Sequence, residues 1–294
     1  MLNGSNAEKW NALKFGLVLS GGGAKGAYEA GAIKAMSEMD VAEKVYGVSG
    51  TSVGALNTLV FAMDDMALLE DLWQNIGLMT VAAPKAMEGD SHAIKDIVGK
   101  LHITNQLQGN ESGAVFTQSS LRALIHKNCD FEKIRAHRAK LFACAYDIND
   151  LCVKYFELKN EDDEGMVNAV LASAAIPHVY DPVEIAGHKF ADGGINDSAY
   201  GVKNSDVTPI APLQDEGYDI ILVIHLREQE TRDLDHIGKT RLVHIYPSKP
   251  LEQIKGSGTM NFSRSAIKER FNMGYADMYI TLGKLLMEYL KGRE

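Results

Sequence analysis

The amino-acid sequence predicts a single α/β domain in which helices cover a sheet of parallel strands. Two strand–turn–helix units follow each other near the start of the chain, and repeated units of this kind build parallel sheets. Residues 218–226 (YDIILVIHL) are rich in Ile and Val, which is typical of a central strand buried on both faces. Apolar residues make up 46% of the 294 residues, which is enough for a large core, and no repeat or linker divides the chain.

The first strand–turn–helix unit begins with the apolar run 14–20. This run ends at three glycines, which predicts a buried strand closed by a tight turn. Apolar residues then recur at helical spacing over 24–39. A strand over 45–49 and a helix over 52–63 form the second unit, so the chain is predicted to open as β-turn-α-β-turn-α.

The rest of the chain predicts helices and strands in alternation. They are a mainly helical stretch over 64–127, a strand pair at 140–146 and 153–158, a small-residue helix over 165–175, a hairpin over 183–190, strands over 218–226 and 242–246, and an amphipathic helix over 268–290. The polar, glycine-containing segment 84–113 is predicted to be a lid. The apolar stripe of the last helix is predicted to face the core rather than a lipid surface.

The composition argues against several classes of partner. With 30 basic and 39 acidic residues, the net charge is −9, which disfavours nucleic acid and gives no broad cationic face for anionic membranes. No transmembrane helix and no secretory signal are predicted, because long apolar runs are missing. The three cysteines lack metal-binding spacing and favour a reducing compartment. We therefore expect a cytoplasmic protein that makes at most transient contact with a membrane surface.

The glycine-rich turn at 21–26 (GGGAKG) lies between the first strand and its helix. Backbone N–H groups and a helix N-terminus favour negative charge there, so the turn can hold a pyrophosphate or the oxyanion of a reaction. A dinucleotide site needs an acidic residue at the end of the second strand, but that strand ends without a carboxylate. A P-loop is disfavoured as well, because residues 27–28 are not Lys and Ser or Thr.

Ser52 lies in a GxSxG pattern with Gly50 and Gly54 at the end of the second strand. This pattern is typical of a nucleophile elbow, in which a sharp strand-to-helix turn exposes the serine hydroxyl. A serine nucleophile needs a base, and two candidates follow in the chain. His225 has the best position among the histidines, at the end of the strongest strand. Asp192 precedes two glycines, on a turn that leaves its carboxylate unhindered.

Taken together, three motifs resemble those of the patatin-like phospholipases in their order and approximate spacing. They are residues 21–26, 50–54 (GTSVG) and 192–194 (DGG). The segments 172–177 (ASAAIP) and 274–277 (GYAD) agree with the same family. Each motif alone is weak, but the set is specific.

The resemblance covers residues 14–290 and leaves 1–13 as an N-terminal tail. It is greatest to the compact bacterial members that consist of this domain alone. It implies a three-layer α/β/α domain with a mainly parallel central sheet.

The resemblance also implies a Ser–Asp dyad without histidine, in which Ser52 is the nucleophile and Asp192 takes its proton. The N–H groups of Gly21, Gly22 and Gly23 would form the oxyanion hole. The implied activity is hydrolysis of lipid acyl esters, with phospholipids as the leading substrate class. No metal and no organic cofactor are implied.

The other motif residues are expected to shape the turns around these groups. They are Lys25, Gly26, Gly50, Gly54, Gly193 and Gly194. Lys25 stands where many members of the family carry Arg, which keeps the charge but loses the bidentate fork. The run 198–207 is longer than the usual link in the family.

Three other functions are left open by the residues themselves. A Ser–His–Asp esterase of small soluble esters would use His225 or His244 as its base. A regulatory protein with a vestigial hydrolase site would be free to lose Ser52 or Asp192. A nucleotide-binding protein would use the glycine-rich turn. The head group, the acyl-chain length and the oligomeric state are left open as well.

Overall fold

The computed structural model describes residues 4–81, 83–84, 116–195, 205–229, 233–252 and 257–292. Its helices are α1 (Gly4–Ala12), α2 (Ala27–Glu38), α3 (Val53–Ala62), α4 (Met66–Asn75), α5 (Leu78–Val81), α6 (Ser119–Asn128), α7 (Phe131–Ala136), α8 (Asp163–Ser173) and α9 (Arg264–Leu290). Its strands are β1 (Phe15–Leu19), β2 (Val45–Thr51), β3 (Ala83–Pro84), β4 (Phe116–Thr117), β5 (Lys140–Asp147), β6 (Cys152–Glu157), β7 (Val183–Ile185), β8 (His188–Asp192), β9 (Ile220–Ile224), β10 (His236–Ile237) and β11 (Thr240–Ile245).

Nine of these strands form one sheet, in the order β10-β11-β9-β1-β2-β5-β8-β7, with β6 paired to the other edge of β5. The five strands from β11 to β5 are parallel to one another. Antiparallel strands extend the sheet at both ends. The prediction of a mainly parallel central sheet is therefore confirmed. The small sheet of β3 and β4 was not predicted.

Helical segments flank both faces of the sheet. Successive side chains of a strand point to opposite faces, and the fully buried strand β1 serves both. Leu17 and Leu19 belong to the main core, to which the α-helices contribute. Val18 points to a smaller core that includes Leu213 from the short 3-10 helix Ala211–Leu213. This arrangement agrees with the predicted three-layer α/β/α fold.

Helices α2 and α9 cross in close contact at two glycines. A Cβ atom on Gly31 would lie 1.9 Å from the carbonyl oxygen of Phe271, and one on Gly274 would lie 1.8 Å from that of Tyr28. Only glycine allows the two backbones to approach so closely. Three residues of the apolar stripe predicted to face the core from the last helix are buried: Met278, Leu282 and Leu285.

The predicted N-terminal tail contains helix α1, which packs against α9. Trp10 is buried and makes edge-to-face contacts with the rings of Phe15 and Tyr289. The side-chain amide of Asn6 donates a hydrogen bond of 3.2 Å to the carbonyl oxygen of Leu290. The boundary at residue 14 stays a prediction, with α1 attached to the domain that follows it.

Two segments named in the sequence analysis fall mostly outside the described residues. Apart from Pro84, the predicted lid at 84–113 is not among them, and neither are residues 198–204 of the long link. Among the helices that the structure describes, none is both long and apolar enough to cross a membrane.

Candidate active site

Ser52 occupies the turn between β2 and α3 in a backbone conformation that non-glycine residues rarely adopt. Its φ and ψ are 58° and −120°, and its side chain is only 5% exposed. Such strain persists only where the surrounding structure enforces it, and it concentrates at functional sites. The predicted nucleophile elbow therefore has the backbone geometry typical of one.

The two glycines of the elbow are required by close backbone contacts. A Cβ on Gly50 would lie 2.2 Å from the carbonyl oxygen of Gly54, and one on Gly54 would lie 2.3 Å from that of Leu19. Helix α3 can therefore begin directly against the ends of β1 and β2. The other motif glycines are similarly crowded: Gly26 by Val53, Gly193 by Cys144 and Gly194 by Val207.

Asp192 reaches Ser52 because β2 and β8 meet end to end along one edge of β5. Thr51, the last residue of β2, pairs with Cys144, whereas Asp192, the last residue of β8, pairs with the next residue, Ala145. Since the other edge of β5 is occupied by β6, both strands must lie on the same side. The Ser52 side chain lies close enough to the Asp192 carboxylate to lower the pKa of that carboxyl by hydrogen bonding.

The Asp192 carboxyl is buried, with 5% of its surface exposed. Loss of hydration raises its pKa to about 6, although hydrogen bonds from the Ser52 hydroxyl and the Gly194 N–H oppose the shift. The Gly194 bond measures 2.8 Å to Oδ1. A carboxylate with a pKa near 6 is ionised at neutral pH and is a stronger base than an ordinary aspartate.

The glycine-rich loop between β1 and α2 offers two N–H groups rather than three. The Gly21 N–H donates a hydrogen bond of 2.8 Å to the Val207 carbonyl, so it is already used, in contrast to the prediction. Within the described part of the chain, the N–H groups of Gly22 and Gly23 have no partner. Gly23 lines the same cavity as Ser52 and has a φ of 56°, which favours glycine.

A buried polar network of Glu29, Asn57 and Trp73 lies next to this loop. The sequence analysis did not predict it. Glu29 is fully buried, and its Oε2 accepts a hydrogen bond of 2.8 Å from the Asn57 amide. The same amide donates to the Gly26 carbonyl, and the Asn57 oxygen accepts from the Trp73 indole. Burial raises the pKa of Glu29 well above its ordinary value, which disfavours the charged form of this carboxyl.

Lys25 contacts a carboxylate of its own chain. Its Nζ atom lies 4.0 Å from Oε2 of Glu252, and only 13% of its side chain is exposed. Desolvation lowers its pKa, whereas Glu252 opposes the shift. Its cation is therefore partly balanced within the protein and less available for an external anion.

Ser173 is a further site residue that sequence reasoning did not single out. Its hydroxyl accepts a hydrogen bond of 2.8 Å from the Ser52 N–H and donates one of 2.6 Å to the Cys144 carbonyl. It therefore links the strained elbow to β5, the strand that pairs with β8 and its last residue, Asp192. The only signal in the sequence was the small-residue segment 172–177.

Replacing Ser173 with alanine is expected to lower the free energy of unfolding by about 1–3 kcal/mol, because two buried backbone groups lose their partner. It should also reduce kcat, since the elbow loses a constraint. Ser49→Ala is the matched control: Ser49 is equally buried, but its hydroxyl has no partner among the described residues. Denaturant unfolding of both variants tests this, and equal stabilities would contradict it.

An apolar cavity of about 940 Å³, counting its open mouth, begins at Ser52 and Gly23. Most of its lining is aliphatic or aromatic, including Leu56 and Val60 on α3 and Leu124 on α6. Val60 is eight residues beyond Ser52, so the cavity follows α3 for about 12 Å at the rise of an α-helix. A concave apolar lining of this kind suits a small apolar ligand.

The predicted alternative base, His225, is paired with other partners. Its Nε2 atom lies 2.9 Å from Nδ1 of His244, and its ring stacks on Tyr246 at 4.1 Å between centroids. Burial, His244 and Arg227 lower the pKa of His225 to about 3. Among the contacts of the described residues, none joins His225 or His244 to Ser52. A Ser–His–Asp triad is therefore disfavoured.

Comparison with known proteins identifies a family. The sequence model described as patatin-like phospholipase matches residues 17–200. Comparison with curated proteins gives no significant match.

Three solved structures resemble the fold at low sequence identity. Human GIVD cytosolic phospholipase A2, in complex with methyl gamma-linolenyl fluorophosphonate, has a TM-score of 0.50 and 12% identity, covering 96% of this chain and 59% of that one. The type III effector ExoU of Pseudomonas aeruginosa has a TM-score of 0.47 and 15% identity, covering 93% and 53%. VipD from Legionella pneumophila has a TM-score of 0.43 and 13% identity, covering 96% and 67%. The chain thus spans 53% to 67% of the length of these proteins.

Proposed function

The chain belongs to the patatin-like phospholipase family, a family of lipid ester hydrolases, and we propose that it hydrolyses lipid acyl esters through a dyad of Ser52 and Asp192. The observation that carries this proposal is the strained turn that places the Ser52 side chain next to the buried Asp192 carboxylate, at the mouth of an apolar cavity. A nucleophile, a base of suitable pKa and room for an acyl chain are thereby combined at one point.

In the first half of the reaction, the Ser52 oxygen attacks the ester carbonyl while Asp192 accepts the hydroxyl proton. The carbonyl oxygen becomes an oxyanion, which the N–H groups of Gly22 and Gly23 stabilise. Donors of this type are typically worth about 10²–10³ in rate each. The tetrahedral intermediate then collapses, and the alcohol leaves with the proton that Asp192 returns to it.

In the second half, water hydrolyses the acyl group on Ser52. Asp192 accepts a proton from the attacking water, the same N–H groups stabilise the second oxyanion, and the carboxylic acid leaves as Ser52 regains its proton. One base thus serves both steps. No histidine is required, because burial has already brought the pKa of Asp192 to about 6.

The apolar cavity is proposed to hold one acyl chain of the substrate. Its walls offer Leu56, Val60 and Leu124 to the chain, and each buried methylene group contributes about 0.8 kcal/mol. The alcohol part of the ester would extend from the mouth of the cavity towards solvent. Substrates with long acyl chains should therefore be preferred over acetyl esters.

The proposal is tested by measuring fatty-acid release from three substrates: a monomeric long-chain ester, a lysophospholipid and phospholipid vesicles. A lipid acyl hydrolase is supported if the wild type releases fatty acid from any of these substrates and Ser52→Ala does not. Release from the vesicles would extend the proposal to contact with a membrane surface. A folded protein that releases no fatty acid from any of the three would favour the regulatory alternative.

The rate of hydrolysis is expected to rise with pH, with a midpoint near 6. Asp192 accepts a proton only when it is ionised, so kcat/KM should fall about tenfold per pH unit below its pKa and level off above pH 7. The measurement is kcat/KM for a soluble ester across this range, with circular dichroism to verify folding. A flat profile, or one that falls with rising pH, would contradict Asp192 as the base.

Enlarging Val60 is expected to shorten the acyl chain that the enzyme prefers. In Val60→Phe, the larger ring takes up part of the cavity. If two methylene groups of a dodecanoyl ester lose their place there, the binding free energy of that ester weakens by about 1.6 kcal/mol. Its kcat/KM should then fall roughly tenfold. Butanoyl esters should be affected little. Val60→Ala is the matched control and should shift the preference towards longer chains. Equal effects on short and long esters would contradict this position of the acyl chain.

A further inference from the structure

A second polar cluster, which includes neither Ser52 nor Asp192, lies at the carboxyl ends of β9 and β11. His225, Asp233 and His244 each offer a ligand atom there, and these atoms lie within 4.8 Å of one another. His225 is 2% exposed, His244 is half-buried, and the side chain of Asp233 is 24% exposed. Two imidazoles and a carboxylate are the ligand types that Zn²⁺ binds in proteins.

Three buried atoms of this cluster have no hydrogen-bond partner among the described residues. They are Nδ1 of His225, Oδ2 of Asp233 and the hydroxyl oxygen of Tyr246, whose ring stacks on His225. Buried polar atoms are normally paired, because leaving one unpaired costs free energy. Among them, Oδ2 of Asp233 is a carboxylate oxygen that a bound cation would satisfy, which points to a cation at this cluster.

The hydrogen bonds around the cluster also resemble those of a metal site. The Nε2 atom of His244 lies 2.8 Å from the Leu234 carbonyl, so it carries the proton and donates it. The other ring nitrogen of His244, Nδ1, is therefore unprotonated, and its lone pair faces Nε2 of His225 at 2.9 Å. Metal-binding histidines typically donate their other ring N–H to a carbonyl or carboxylate, which fixes the ring and its tautomer.

We propose that His225, Asp233 and His244 bind one divalent transition-metal ion of the zinc type. The ion would lie between Nε2 of His225 and Nδ1 of His244, with the Asp233 carboxylate as the third ligand after a small shift of its side chain. Coordination at Nε2 moves the His225 proton to Nδ1, so the histidine pair releases no net proton. One anionic carboxylate, which offsets part of the charge, and two neutral imidazoles make the set suitable for a dication.

This ion would have a structural role, because it would link the ends of β9 and β11 next to the glycine-rich loop. His225 is followed by Leu226, whose side chain lies against Gly22: a Cβ atom added to Gly22 would be 2.8 Å from it. The Ser20 hydroxyl beside the loop donates to the Ile224 carbonyl at 2.7 Å. Metal binding would therefore stiffen the strand end that supports the predicted oxyanion donors.

The test is calorimetric titration of Zn²⁺ into the untagged, chelator-treated full chain, with Co²⁺ absorption as an independent readout of ligand geometry. One saturable site is expected in the wild type, and Zn²⁺ should raise the melting temperature. His244→Ala and Asp233→Asn should weaken binding by about 10–100-fold or more and abolish the thermal shift. Circular dichroism without metal verifies that both variants fold.

Two histidine variants serve as controls for the location of the site. His236→Ala removes an exposed histidine on neighbouring β10 and should leave binding unchanged. His188→Ala disrupts the other cluster with ligand-like spacing, formed with Asp147 and Asp150, and should also bind normally. The proposal is overturned if the wild type shows no saturable site, if His244→Ala and Asp233→Asn bind as tightly as the wild type, or if His188→Ala is the variant that loses binding.

Discussion

Replacing Ser52 with alanine is expected to reduce ester hydrolysis by at least about 10⁴-fold, because removing a nucleophilic serine leaves only substrate binding and the oxyanion donors. The fold should survive, since the Ser52 hydroxyl interacts with the Asp192 carboxylate and with no other group among the contacts described, and the elbow backbone is held separately by Ser173. Both the rate of fatty-acid release and the unfolding transition should be measured.

Covalent labelling gives an independent measurement of the same prediction. A fluorophosphonate reacts with an activated serine, so intact-protein mass spectrometry should show one adduct on the wild type and none on Ser52→Ala. Ser49→Ala is the matched control, because Ser49 is buried in β2, the strand that leads to Ser52, and its hydroxyl has no partner in the described part of the chain. It should label like the wild type. An adduct that persists in Ser52→Ala would place the nucleophile elsewhere.

Replacing Asp192 with asparagine is expected to reduce kcat by about 10²–10⁴-fold, which is the usual contribution of a general base. Asparagine retains the shape of the side chain, and its oxygen can still accept the Gly194 N–H, but it cannot take up the serine proton. Fluorophosphonate labelling should be slowed to a similar extent. The rise in rate near pH 6 should also disappear, because the titrating group is gone.

The control for Asp192→Asn is Asp206→Asn. Asp206 is a half-buried carboxylate near the same strand ends, where it accepts hydrogen bonds from the Tyr155 hydroxyl and the Thr208 N–H. Burial raises its pKa as well, but it has no contact with Ser52 among those described. This variant should keep most of the activity and the pH profile. High activity in Asp192→Asn would instead favour a histidine-dependent esterase.

The proposed nucleophile could be named from the sequence because the geometry of its turn is local. Gly50 and Gly54 flank Ser52 at a strand-to-helix junction. Close backbone contacts leave no room for a side chain at either glycine. The resemblance of three motifs to one family then suggested Asp192 as the base, whereas the residues by themselves left His225, the best-placed histidine, as an alternative. The confirmed family and the mainly parallel sheet follow from the same motifs and from the strand–helix alternation.

Other features of the site were hidden in the sequence, since they depend on contacts between distant segments. Gly21 cannot serve as an oxyanion donor, because Val207, far along the chain, accepts its N–H. Ser173 supports the elbow only because α8 ends beside β5, and a serine in a small-residue segment carries no sign of that role. The unpartnered atoms near His225 likewise become visible only once β9 and β11 lie side by side.

The sequence by itself determined the alternation of strands and helices, the position of the elbow and the family of the protein. These depend on residue type and spacing over a few positions, where apolar periodicity and glycine act directly on the backbone. The tertiary structure alone decided that Asp192 meets Ser52, through the shared edge of β5, and that its pKa rises to about 6. The physical reason is that strand register and burial are properties of the assembled sheet, and both act across large separations in the chain.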